Sequence, residues 1–151
     1  ENQIELINGI LGTISNLCLF DSVGFITDER FQNLMMPVVD QVNLWIFFFI
    51  TYKIQSFSFQ LNNFTSNENY SQWIQQYVSP CIVNLTSATK EEALWRQIHY
   101  QILLKTRSDL SKTRLATLNV LQELSRKLGM NYQGLLPEAI PFMAELMEGI
   151  G

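Results

Sequence analysis

Leu115, Leu118, Leu121, Leu124 and Leu128 recur at steps of three and four, and Ala116 and Val120 widen the stripe they make. Lys112, Asn119, Gln122, Glu123, Arg126 and Lys127 fall on the other side. This spacing predicts an amphipathic helix over residues 111–128. Ser111 is placed to cap its N-terminus, Arg126 and Lys127 suit the negative end of its dipole, and Gly129 suits a left-handed stop. A second helix is predicted just before it, over 90–106, with an apolar face of Leu94, Trp95, Ile98, Ile102 and Leu103. Thr89 and Glu92 have the spacing of a capping box. Only residues 107–110 join the two, so they should pack antiparallel as a hairpin.

The same periodicity marks four further helices. One spans 4–20, with Ile4, Ile7, Leu11, Ile14 and Leu17 in register, and another spans 28–41, opened by Asp28 and Glu29. A third spans 70–85, holding Trp73, Ile74, Tyr77, Val78 and Ile82, with Pro80 expected to kink it. The last spans 135–147, with Pro137 in its first turn and Pro141 four residues on. No strand alternation competes. Paired helices with short joints indicate an all-α fold, an α-solenoid of antiparallel helix pairs of HEAT or armadillo type. Leu34-Met35-Met36-Pro37-Val38-Val39 and Leu135-Leu136-Pro137-Glu138-Ala139-Ile140 are similar openings for a repeat's first helix, and Asp109 followed by Arg114 is typical of HEAT units. We read residues 1–151 as one HEAT-repeat fragment. Such repeats bury their faces only by stacking, so apolar surface should be exposed at one or both ends.

Residues 42–60 break the pattern. Trp45-Ile46-Phe47-Phe48-Phe49-Ile50 is dense, uncharged and without a helical face. It is too short for a membrane span of about 20 residues, and it has the composition of an aggregation-prone segment. Val42 is encoded by a codon beginning GT, Phe59-Gln60 is encodable as TTTCAG, and Phe, Ser and Ile codons are rich in T. The segment is therefore expected to be a non-native, irregular insertion, either a translated retained intron or a loop.

Composition narrows the function. Of 151 residues 47% are hydrophobic, enough for a core, and the net charge is −4. Residues 1–89 carry seven acids against Arg30 and Lys53, whereas 90–151 carry seven acids against eight bases. The whole chain is therefore not an electrostatic nucleic-acid binder, but its second half offers a local basic cluster. Lys105, Arg107, Lys112 and Arg114 surround the 107–110 joint with Asp109 among them, and are the candidate RNA or partner contacts. The alternative is internal: Lys105 and Arg107 complement a helix C-terminus and Arg114 pairs with Asp109.

His99 is the only histidine and sits one turn from Trp95 and Leu103, which indicates a packed helix residue, not a general base. No phosphate loop, no Gly-x-Ser-x-Gly and no metal-ligand spacing occurs, so neither an enzyme nor a metal or cofactor site is expected. Cys18 and Cys81 stand in apolar helical contexts as small hydrophobes. Asn63, Asn69 and Asn84 open Asn-x-Ser/Thr tripeptides, but no leader-like start accompanies them and the chain reads as intracellular.

Trp95-Arg-Gln-Ile-His-Tyr-Gln-Ile-Leu-Leu-Lys-Thr-Arg107, Thr113-Arg114-Leu115, the run Leu135–Glu148, Phe25–Gln41 and Val78–Ile82 together resemble the C-terminal region of the HEAT repeat-containing protein 1 family. That family includes the large yeast HEAT-repeat subunit of the small-subunit processome. The resemblance covers most of the chain outside 42–60. It implies a non-catalytic nucleolar scaffold in ribosome biogenesis that supports rRNA transcription and small-subunit rRNA processing. The implied partners are other processome proteins, with pre-rRNA or small nucleolar RNA, and neither a membrane nor a small-molecule substrate. A generic HEAT adaptor in transport or trafficking is the alternative.

Overall fold

The computed structural model describes residues 2–43 and 67–149, and each element of them is a helix. Helix α1 spans Asn2–Leu19 and α2 spans Asp28–Asp40, the latter tightening into a 3-10 turn at Gln41–Asn43. Helix α3, Asn67–Trp73, runs through a π turn at Ile74–Val78 into α4, Ser79–Ala88. Helix α5 (Glu92–Leu104) ends in a 3-10 turn, Lys105–Arg107, and α6 spans Ser111–Leu128. A 3-10 segment, Gly129–Leu135, leads to α7, Leu136–Glu148. The fold is all-α and solenoid-like, with no strand among the described residues.

Helix α4 is the centre of the packing and touches α1, α2, α5 and α6. Six of its residues, Ser79, Cys81, Ile82, Val83, Leu85 and Thr86, are buried, as expected of a helix with neighbours all round. The α1 side contributes Leu11, Ser15 and Cys18, with Asn84 Nδ2 donating to Ser15 Oγ (2.9 Å) and Trp73 Nε1 donating to Asn8 Oδ1 (2.7 Å). Cys18 and Cys81, 63 positions apart in sequence, are both free and buried. Burial pushes the Cys18 thiol up to about 11, with Asp21 adding to the shift, and the Cys81 thiol up to about 12, with Cys18 adding. Both stay protonated at neutral pH and act as packing groups.

The π turn follows from Pro80. A proline in a helix has no N–H and its ring presses on the carbonyl four residues earlier. Widening the preceding turn, so that Ser79 N donates to Ile74 O, relieves that clash and re-aims the chain without breaking it. The expected kink is thus a π turn, and the helix extends from 67 to 88 instead of 70 to 85.

The ends of α6 fall where the periodicity puts them, and Gly129 has the positive φ of 54°. The buried face differs from the predicted stripe, however: Thr113, Ala116, Thr117, Val120, Leu121, Leu124 and Leu128 face inward, and Leu115 is 58% exposed. Ser111 does not cap the helix; Leu110 occupies the cap position with no side-chain bond. The capping box at α5 does not close either. Thr89 Oγ1 accepts from Glu91 N (3.1 Å), while Glu92 turns outward to Arg96 (2.6 Å).

Most of the expected insertion, 44–60, lies outside the described residues. Its first residue, Val42, is fully buried, and its carbonyl accepts from the Tyr70 hydroxyl at 2.6 Å. Val42 therefore belongs to the core.

Candidate interaction surface

The joint between α5 and α6 gathers the four candidate basic residues, and each has a neighbour within the chain. Lys105 Nζ reaches Asp40 Oδ1 at the end of α2 (2.6 Å). Arg107 forms a two-pronged pair with Glu145 on α7 (2.8 and 2.7 Å), its guanidinium 4.6 Å from the centre of the Phe142 ring. That pairing holds the Glu145 carboxyl below its ordinary value and raises Arg107. Lys112 Nζ lies 5.5 Å from the Tyr70 ring centre, and burial lowers its pKa. Arg114 donates to the carbonyls of Ser108 (2.8 Å) and Asp109 (3.1 Å), not to the Asp109 carboxylate. The joint is thus a clasp: Lys105 fastens it to the preceding α2 and Arg107 to the following α7.

Behind the clasp His99 is fully buried. Its Nδ1 is 3.0 Å from Glu138 Oε2 and its Nε2 is 3.1 Å from the Tyr132 hydroxyl. A carboxylate accepts and a phenol can donate, so the neutral ring carries its proton on Nδ1. Burial lowers the His99 pKa, opposed by Glu138 and assisted by Arg96. Sequence periodicity puts His99 on a packed face. Its partners, 33 and 39 positions away on the 3-10 segment and α7, are brought to it by the fold.

Two helices present apolar rows outward. On α1 these are Leu6, Ile10 and Leu17, at 64, 49 and 50% exposure, continued by Leu19, Phe20 and Val23. On α7 they are Leu136, Ile140 and Met147, at 44, 64 and 72%. Positions 6, 10, 17 and 136, 140, 147 have the same spacing, one helical face in each case. Isolated exposed aliphatics are ordinary, but rows of them mark association surfaces. Asn84, which opens one of the Asn-x-Ser/Thr tripeptides, is half-buried and bonded to Ser15, and Thr86 is fully buried. That tripeptide is part of the packing.

Among the described residues no cluster of three or more His, Cys, Asp or Glu is arranged to hold a metal, and no helix is long and apolar enough to cross a membrane.

No family model matches the chain. Nearly all of it is similar to HEAT repeat-containing protein 1 of Homo sapiens, 38% identical over 152 residues, covering 98% of this chain and 6% of that protein. The Drosophila melanogaster homolog is 34% identical over 148 residues, with the same two coverages of 98% and 6%. A shorter match joins it to U3 small nucleolar RNA-associated protein 10 of Phaeosphaeria nodorum, 37% identical over 76 residues, 50% of this chain and 4% of that protein. The chain spans only a small part of the length of these relatives.

Proposed function

Because the chain belongs to the family of HEAT repeat-containing protein 1, as a relative of its C-terminal region, we propose that it is a non-catalytic scaffold segment in ribosome biogenesis. It binds other proteins of the small-subunit processome in the nucleolus and supports rRNA transcription and processing. The observation that carries this reading is the match to a protein named for its association with U3 small nucleolar RNA, over half of the chain. A surface of helix faces and joints suits such a role, since each repeat adds contact area without a pocket.

The joint of Lys105, Arg107, Lys112 and Arg114 is the proposed contact with an acidic partner or pre-rRNA. Arg107 and Glu145 are each about half exposed, at 52 and 49%. A surface pair of this kind is weakly held and can be exchanged for a phosphate or an external carboxylate. The test is crosslinking and affinity purification of the endogenous full-length protein from nuclei, reading proteins and RNA. Pre-rRNA with small-subunit assembly factors, and crosslinks within 105–114, is the expected result. Recovery of transport or vesicle proteins without ribosomal precursors overturns it and leaves a generic HEAT adaptor.

A further inference from the structure

Of the helices around the 107–110 joint, α7 is the least rooted in the core. It buries two of its thirteen residues, Ala139 and Phe142, whereas α2 buries Phe31, Val38 and Val39, α5 five residues and α6 seven. Its first turn is anchored: Leu135, just before it, is fully buried, and Glu138 meets His99 at 3.0 Å. Its second half is not. Pro141 has no N–H for the Pro137 carbonyl, so the helix is weakest between the turn held by His99 and the turn that reaches Arg107. Beyond Pro141, Phe142 is the sole buried side chain, and the Arg107–Glu145 pair is about half exposed on both sides. A segment with so few buried contacts opens locally at lower free energy than the core.

What this half-helix covers is chemistry suited to RNA. Glu145 fills the fork of Arg107 with two bonds, of 2.8 and 2.7 Å, the same geometry a phosphate takes. Phe142 lies 4.6 Å from that guanidinium and edge-on to Tyr100, with ring centres 6.0 Å apart. Tyr100 is 42% exposed even so. With residues 142–148 lifted, Arg107 presents its fork to a phosphate and Tyr100 a ring for the adjoining base. A cation beside an aromatic ring is how proteins hold single-stranded nucleic acid; an acidic peptide would use the fork alone. The other cations of the joint are unaffected, because Lys105 is held by the well-buried α2 and Arg114 by the carbonyls of Ser108 and Asp109.

We propose that residues 142–148 are a strap closed over an RNA contact: docked, they mask Arg107 and Tyr100, and lifted about Pro141 they open both to a single strand of RNA. This rests on the reading of the joint as an RNA contact and adds that the chain itself closes it. Docking of the strap and binding of RNA exclude each other, so each weakens the other by the same factor.

The test uses the full chain, a 12-nucleotide oligouridylate and hydrogen exchange read by mass spectrometry. In E145A the amides of 142–148 should exchange about five-fold faster, as loss of one exposed ion pair allows, while 79–88 and 111–128 keep their rates. The same variant should bind oligouridylate about five-fold tighter at low salt, and R107A/E145A should lose that gain. E148A removes the same charge from the same helix and should change neither reading. In the unsubstituted chain, saturating oligouridylate should itself speed exchange of 142–148, an arm that needs no variant to fold. Equal binding to E145A and the unsubstituted chain, equal gains in E145A and E148A, or exchange of 142–148 unmoved by bound RNA overturns the strap and leaves an open RNA contact. Absence of binding even to E145A overturns the RNA reading of the joint, and the strap with it. A 12-residue polyglutamate that lifts the strap where oligouridylate does not overturns RNA as the occupant.

Discussion

His99 draws α5, the Gly129–Leu135 segment and α7 together through two hydrogen bonds, and this fixes how stability responds to acid. Burial lowers its pKa in the folded chain from the ordinary 6.5, so below that value the unfolded chain binds more protons than the folded one. Stability is therefore full above about pH 6.5 and declines as pH falls, because protonation favours unfolding. Urea midpoints at pH 7.5 and 5.5 should show the loss, and the H99F variant should flatten it. At pH 7.5 the same variant should cost roughly 1–3 kcal/mol, since Tyr132 loses its partner inside the protein. A pH response unchanged in H99F would assign the effect elsewhere. Two leucines of one stripe make a second comparison. Leu124→Ala removes a fully buried side chain and should cost about 2–5 kcal/mol. Leu115→Ala, at an exposed position, should stay within about 0.5 kcal/mol by chemical denaturation.

That contrast shows what an element's sequence discloses. Periodicity placed α6 to the residue, because leucines at three- and four-residue steps fit only one secondary structure. It did not centre the buried stripe, because Thr113 and Thr117 read as polar. Inside the helix the Thr117 hydroxyl donates to the Thr113 carbonyl at 2.8 Å, which satisfies it and lets its methyl pack. The four basic residues were legible as a cluster, with Asp109 beside Arg114, but the distant partners were not: Lys105 and Asp40 lie 65 positions apart, and Arg107 and Glu145 38. Between α2 and α3 the expected insertion predicts that deleting residues 44–60 preserves the fold. Val42 and Tyr70 meet across 28 positions, and the ten residues left in a chain so shortened are ample to span that contact. Shorter loops close at lower entropic cost, so stability should be unchanged or raised by about 1 kcal/mol. A cooperative melt lost on deletion would make the segment part of the fold. Transcripts sequenced in quantity should lack it if it is intronic.

At the scale of the whole molecule the outward rows on α1 and α7 decide the behaviour in solution. Each helix is packed on its inner side, α1 against α4 and α7 against α5, and each turns three large aliphatic side chains at 4- and 7-residue steps to solvent. Helical repeats of this kind lower their free energy by covering such rows with a neighbour's helix. With only this chain in solution, the available neighbour is another copy, so sedimentation velocity should show association that strengthens with concentration. Pairing the rows removes little polar surface, so high salt should not reverse it, in contrast to association through the 105–114 joint. Ile10→Lys with Leu17→Lys on α1, or Ile140→Lys with Met147→Lys on α7, should restore the monomer. The melting temperature should stay within a few degrees, because none of the four side chains is buried in the core. If only one of the two pairs of substitutions restores the monomer, that face self-pairs about a two-fold axis; if either pair alone restores it, the two ends join head to tail, and the unsubstituted chain forms assemblies larger than a dimer. Monomers at all concentrations would mean that exposure of these rows is tolerated, and that they are not the surfaces through which the solenoid is extended.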